Sequence, residues 1–183
     1  MKIGVYGSAA GDITETVREL ARKVGRQIAL RGHTLITGAC PGIPYEAVLG
    51  ANEKGGEVIG FSPAINEQDH IERFGFSTQG FTELIYLPED YKHRELKKVC
   101  LKYRNVSSVA NSDSALIISG RCGTLNEFTI AYDLGKNIGV LTGTGGMTKF
   151  LETLVEDWNK PSESKIIYET EPGKLIEDLE KVT

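Results

Sequence analysis

Short apolar runs of strand length alternate with segments of helical period almost from one end of this chain to the other. That alternation leaves few folds open. Lys2–Tyr6, His33–Thr37, Val58–Phe61, Leu84–Leu87, Asp113–Ile118, Ile138–Leu141 and Lys165–Tyr168 read as strands. The first is closed by Gly7-Ser8-Ala9-Ala10-Gly11, after which Asp12 and Glu15 stand at capping-box spacing. Val17, Leu20, Ala21, Val24, Ile28 and Leu30 then keep the spacing of an amphipathic helix up to Arg31-Gly32. Further helices are expected over Tyr45–Lys54, over the basic stretch Tyr91–Ala110, from Thr124, from about Thr148 to Trp158, and from Gly173. Strands that return through helices predict a doubly wound, mostly parallel sheet with helices on both faces: a Rossmann-like α/β fold. At 183 residues one such domain, spanning 1–183, is expected.

Composition narrows the function classes. The net charge of −4 argues against a nucleic-acid binder held by bulk electrostatics. No apolar run approaches the roughly 20 residues that cross a bilayer, and turn residues follow the first seven positions too soon for a signal peptide. Cys40, Cys100 and Cys122 are spaced too widely for a disulfide framework or a zinc pattern. A cytoplasmic chain with reduced thiols, no membrane association, no metal and no resident cofactor is the expectation.

Ligands of doubly wound sheets lie beyond the carboxyl ends of the strands, where this chain places three glycine-containing loops. The first, Gly7 to Gly11, lacks the G-x-G-x-x-G spacing of a dinucleotide site, and Thr37-Gly38 stands where an acidic residue would read a ribose. The second carries Gly38, Cys40 and Gly42. The third, Ser119-Gly120-Arg121-Cys122-Gly123-Thr124, leads from an apolar strand into a helix, the arrangement that holds an anion on free amides and the helix dipole. Glu127 follows at once, so a carboxylate stands beside the anion. Thr124 and Glu127 also fit a capping box with no chemistry attached. The irregular stretch Ser62–Gly80 is long enough to be a functional loop or flap.

The segment Arg104 to Glu127 resembles the lonely-guy, or lysine decarboxylase-like, superfamily. Its signature P-G-G-x-G-T-x-x-E falls, without gaps, on Ser119 through Glu127, with Arg104 at the arginine some two dozen positions upstream. Ser112-Asp113, Gly7-Ser8, Thr37-Gly38 with Gly42, and Gly55-Gly56-Glu57-Val58-Ile59-Gly60 extend the resemblance over about Lys2 to Leu141. Two departures, Ser119 for proline and Arg121 for the second glycine, point toward a related nucleotide-binding branch. That branch includes proteins similar to the algal molybdenum-cofactor carrier.

The resemblance implies hydrolysis of the N-glycosidic bond of a nucleoside 5′-monophosphate. Glu127 would stabilise an oxocarbenium-like centre and orient water. Arg104 would pair with phosphate or keep that carboxylate ionised. Gly7, Ser8, Gly38, Gly42, Gly120, Arg121, Cys122, Gly123 and Thr124 would hold phosphate and sugar. Arg121 either adds an anion contact or closes the pocket to the usual substrate. The alternative is a non-catalytic carrier or sensor of a phosphorylated pterin or nucleotide. Lysine decarboxylation fits poorly, because Lys54, Lys98 and Lys136 lie in helical or turn patterns rather than in a pyridoxal-phosphate setting. A phosphorylated small molecule as partner, no nucleic acid, and a homodimer or larger homo-oligomer complete the expectations. The face from Lys92 to Arg104 reads as an exposed helix surface, His33 as structural, His70 and His93 as exposed.

Overall fold

In a computed structural model of the chain, which describes residues 1–158 and 160–183, seven strands form one parallel sheet. The strands are β1 (Lys2–Gly7), β2 (Thr34–Thr37), β3 (Val58–Phe61), β4 (Glu83–Ile85), β5 (Ser114–Ile118), β6 (Asn137–Leu141) and β7 (Ile166–Glu169), in the order β4-β3-β2-β1-β5-β6-β7. The helices are α1 (Glu15–Leu30), α2 (Ile43–Asn52), α3 (Glu67–Glu72), α4 (Lys97–Ala110), α5 (Cys122–Asp133), α6 (Leu151–Trp158) and α7 (Pro172–Val182). The α/β class and the parallel, doubly wound sheet read from the sequence are as observed.

Alternation along the central strands divides the core. Ile3 and Val5 of β1, with Leu116 and Ile118 of β5, face α1, α2 and α7 through Val24, Ile28, Ala47, Leu175 and Leu179. Tyr6 of β1, with Ala115 and Ile117 of β5, points the other way, onto Val109, Phe128, Tyr132 and Leu151 of α4, α5 and α6. Both faces are covered, which is why these strands read as unbroken apolar runs. Trp158, Leu154 and Val155 pack against this second half of the core.

Several element ends differ from the sequence reading. Thr14, not Asp12, caps α1, accepting from the Val17 amide. Helix α4 begins at Lys97, because Tyr91 to Leu96 is spent in successive turns (Arg94 N–H to Tyr91 O, Leu96 N–H to His93 O). Ser62–Gly80 contains a short helix, α3, capped by Asn66.

Strand order reverses between β1 and β5, where β1 pairs with β2 on one side and β5 on the other. The loops after β1, β2 and β5 therefore open on one crevice, the position at which such sheets bind ligands.

A cationic cleft at the switch point

A cleft of about 260 Å³ lies at this crevice. Its walls are the β1 loop (Gly7, Ser8, Ala9), Cys40 after β2, the start of α5 (Arg121, Gly123, Thr124, then Glu127), Lys102, Arg104 and Asn105 of α4, and Phe76. Arg104 and Glu127, separated by 23 positions in sequence, stand on facing helices. Three cations and a single carboxylate line a cleft in a chain whose net charge is negative, so the local field selects an anion.

Arg104 is 6% exposed. Its Nη1 donates to the Gly38 carbonyl at the end of β2, while its Nε, also buried, has no partner. Gly38 permits this: a Cβ built there would overlap the guanidinium. Gly38 thus shapes the site from behind instead of lining it. Gly42 and Gly120 act similarly. Gly120 holds φ 99°, accepts from the Met147 amide, and leaves no room for a Cβ against Thr124. Gly38, Gly42, Gly120 and Cys122, expected at the ligand, stand in the loops around the cleft and not on its walls. The Cys122 side chain faces solvent, while its backbone amide belongs to the uncapped first turn of α5.

Helix α5 starts at Cys122, with Arg121 at the N-cap and no side-chain cap. Thr124 is therefore the third helical residue and Glu127 the sixth, so the two cannot form a capping box, and the amides of the first turn are left for a ligand. The Arg121 guanidinium leans toward the β1 loop; a Cβ at Gly11 would sit 3.6 Å from its Nη1. It borders the mouth of the cleft without filling it.

Burial pushes the Glu127 carboxyl up to about 7, against the weaker through-space pull of Arg104 and Lys102. Arg104 favours the ionised form, as expected of a neighbouring cation, but burial outweighs it. Near neutral pH the group is poised between acid and carboxylate, as a proton-handling residue in this pH range needs. Burial likewise raises the Cys40 thiol and the Tyr6 phenol beneath the cleft.

Two non-glycine residues among those described hold positive φ: Ala39 at 47° and Ser119 at 53°. Both stand in loops that frame the crevice, where strain is commonly stored. Thr144 braces Ser119 by accepting its amide at 2.8 Å. Proline, fixed near −65°, cannot take the Ser119 conformation, so the loop follows a path closed to the signature residue.

His70, expected at the surface, is fully buried. The Ala64 amide donates to Ser62 Oγ (3.0 Å), which leaves the hydroxyl proton for His70 Nδ1 (2.7 Å), while His70 Nε2 donates to the Ser77 carbonyl (3.2 Å). Burial lowers the imidazole pKa. Stacked edge-on against Phe76, it fixes the segment that supplies one wall of the cleft. Lys102, Asn105 and Phe76 were not singled out from sequence as site residues. The first two flank Arg104, and Asn105 and Ser108 share the face that Cys100 and Val109 bury, a run of polar residues on a buried face that could have marked them.

The profile of the SLOG cluster4 family matches residues 1–176. The chain belongs to the SLOG cluster4 family. An uncharacterized protein of Archaeoglobus fulgidus is 33% identical over 141 residues, 77% of this chain and 80% of that one. Among solved structures this SLOG chain is similar to TM1055 (22% identity, 98% of each chain covered, TM-score 0.79). It is also similar to the molybdenum cofactor binding protein of Rippkaea orientalis (23%, 99% and 96% covered, 0.74), and to the molybdenum cofactor carrier protein of Chlamydomonas reinhardtii (22%, 99% and 97%, 0.71). The fold is thus a SLOG-type Rossmann-like one shared with small-ligand binders. It is shared too with DNA processing protein A of Helicobacter pylori, described for its single-stranded DNA binding mode (16%, 100% and 80% covered, 0.62). That likeness overturns the exclusion of nucleic acid, because a net charge of −4 says nothing about a fold that serves both kinds of ligand. Among the described residues no helix is long and apolar enough to cross a membrane.

Proposed function

We propose that the cleft binds a phosphorylated, nucleotide-like small molecule and that Arg104 and Glu127 hydrolyse the N-glycosidic bond of a nucleoside 5′-monophosphate. The carrying observation is that the buried, unpartnered Nε of Arg104 and the uncapped N-terminus of α5 belong to one cleft, whose single carboxyl, Glu127, stands among three cations. Phosphate on the α5 amides, Ser8 and Thr124 would place the sugar toward Glu127. Ionised Glu127 would then stabilise the positive charge that develops at the anomeric carbon and orient the attacking water. Phosphate at Arg104 would satisfy the free Nε and cancel part of the cation field, as charge-assisted pairing requires.

A second reading, a non-catalytic carrier or sensor of a phosphorylated pterin or nucleotide, is favoured by the Ser119 loop path and by Arg121 at the mouth. The likeness in fold to two proteins named for the molybdenum cofactor points the same way. Both readings need the anion site. Titration of wild type, Thr124→Val and Arg104→Gln with inorganic phosphate and adenosine 5′-monophosphate tests it. Each substitution is expected to weaken binding about 10-fold or more. Equal affinities in all three proteins would remove the site assignment.

A further inference from the structure

Among the described residues three buried side-chain polar atoms have no hydrogen-bond partner: Arg104 Nε, Asn105 Oδ1 and Ser114 Oγ. Ser114 begins β5, at the end of the sheet opposite the cleft. The other two lie on consecutive residues of α4, and both residues line the cleft. One is a donor and the other an acceptor. An anion satisfies the first only. An unmatched buried acceptor costs stability comparable to a lost hydrogen bond, and native proteins rarely keep one without use.

The Asn105 amide is held in place. Its Nδ2 donates to Asn126 Oδ1 at 3.0 Å, and its residue is 2% exposed. Asn105 and Glu127 line the same cleft, so the orphan carbonyl belongs to the site whose carboxyl the proposed chemistry aims at the anomeric carbon. In a nucleoside 5′-monophosphate the hydroxyl nearest that carbon is the 2′-hydroxyl. A 2-deoxyribosyl ligand has no donor on the neighbouring carbon, and an acceptor placed for the 2-hydroxyl would stay empty.

We infer that Asn105 is a specificity-determining residue whose Oδ1 accepts from the sugar 2-hydroxyl, making the cleft selective for ribosyl over 2-deoxyribosyl 5-phosphates. This rests on the phosphorylated-ligand reading above. A hydrogen bond from this hydroxyl also strengthens as an oxocarbenium-like centre develops, so the same contact serves binding and reaction.

The test is calorimetric titration with inorganic phosphate, ribose 5-phosphate and 2-deoxyribose 5-phosphate; neither sugar phosphate has a glycosidic bond to break. Wild type is expected to prefer the ribose compound by about 10- to 100-fold. Asn105→Leu, close in volume, is expected to bring the two within about 2-fold while keeping its affinity for inorganic phosphate. Asn105→Asp, which retains an acceptor, is expected to keep the preference, and it carries the test if the leucine variant does not fold. A wild-type preference near unity, or one unchanged in Asn105→Leu, overturns the inference and leaves the phosphate site standing. Absence of binding by phosphate and by both sugar phosphates overturns the underlying reading, and the inference with it.

Discussion

Replacing Glu127 by glutamine is expected to stabilise the protein increasingly as pH rises above about 4.5, with the full effect above about 7. The native carboxyl holds its proton up to about pH 7, whereas in the unfolded chain it releases it near 4.5. Between those values the native state binds more protons than the unfolded state, so stability falls as pH rises, and above 7 the full cost is present. At about 1.4 kcal/mol per pH unit, the gap from 4.5 to about 7 comes to about 3 kcal/mol. Glutamine keeps the shape and never ionises. At pH 5 the two proteins should therefore melt within about 2 °C of each other. At pH 8.5 the variant should melt about 6–12 °C higher, taking 2–4 °C per kcal/mol for a chain of this size. Scanning calorimetry at both pH values measures the difference directly. A difference in Tm that is the same at both pH values, or a variant less stable at pH 8.5, would refute the assignment of a buried, desolvated carboxyl. A residue whose removal stabilises the fold is retained for its chemistry, as active-site residues commonly are.

Other consequences follow from the same geometry. Gly38→Ala should push Arg104 off the Gly38 carbonyl and weaken phosphate binding about 10-fold or more, read by titration. Ser119→Gly should relieve the positive φ and raise Tm by about 2–6 °C, while Ser119→Pro, barred from φ 53°, should lower it. Turnover, where the ionised carboxyl is the working form, should rise with pH through about 7 and then level off. A profile that instead falls as pH rises through 7 would assign the protonated form.

The fold was legible because strands covered on both faces must be apolar throughout, and because glycines and caps punctuate them. The place of the cleft followed from topology alone, since loops after adjacent strands at the switch point can only converge. Local chemistry was less decisive where two good candidates compete. Asp12 and Thr14 both cap helices well, and the first turn settled on Thr14. His70 looked exposed because nothing local records that Ser62 and Ser77 receive it. Thr124 and Glu127 carried capping-box spacing, yet the helix starts two residues before Thr124, which frees both for the cleft. Above all, no sequence pattern reports a balance of burial against a neighbouring cation, so the raised Glu127 carboxyl and the orphan carbonyl of Asn105 needed three dimensions.

The most direct test of the proposed chemistry is free-base release from a panel of nucleoside 5′-monophosphates, with Glu127→Gln run beside wild type. Base release by wild type that vanishes in Glu127→Gln, with monophosphate binding retained, is the expected result. Monophosphates that bind wild type and are recovered intact from it would contradict hydrolysis and leave a carrier or sensor.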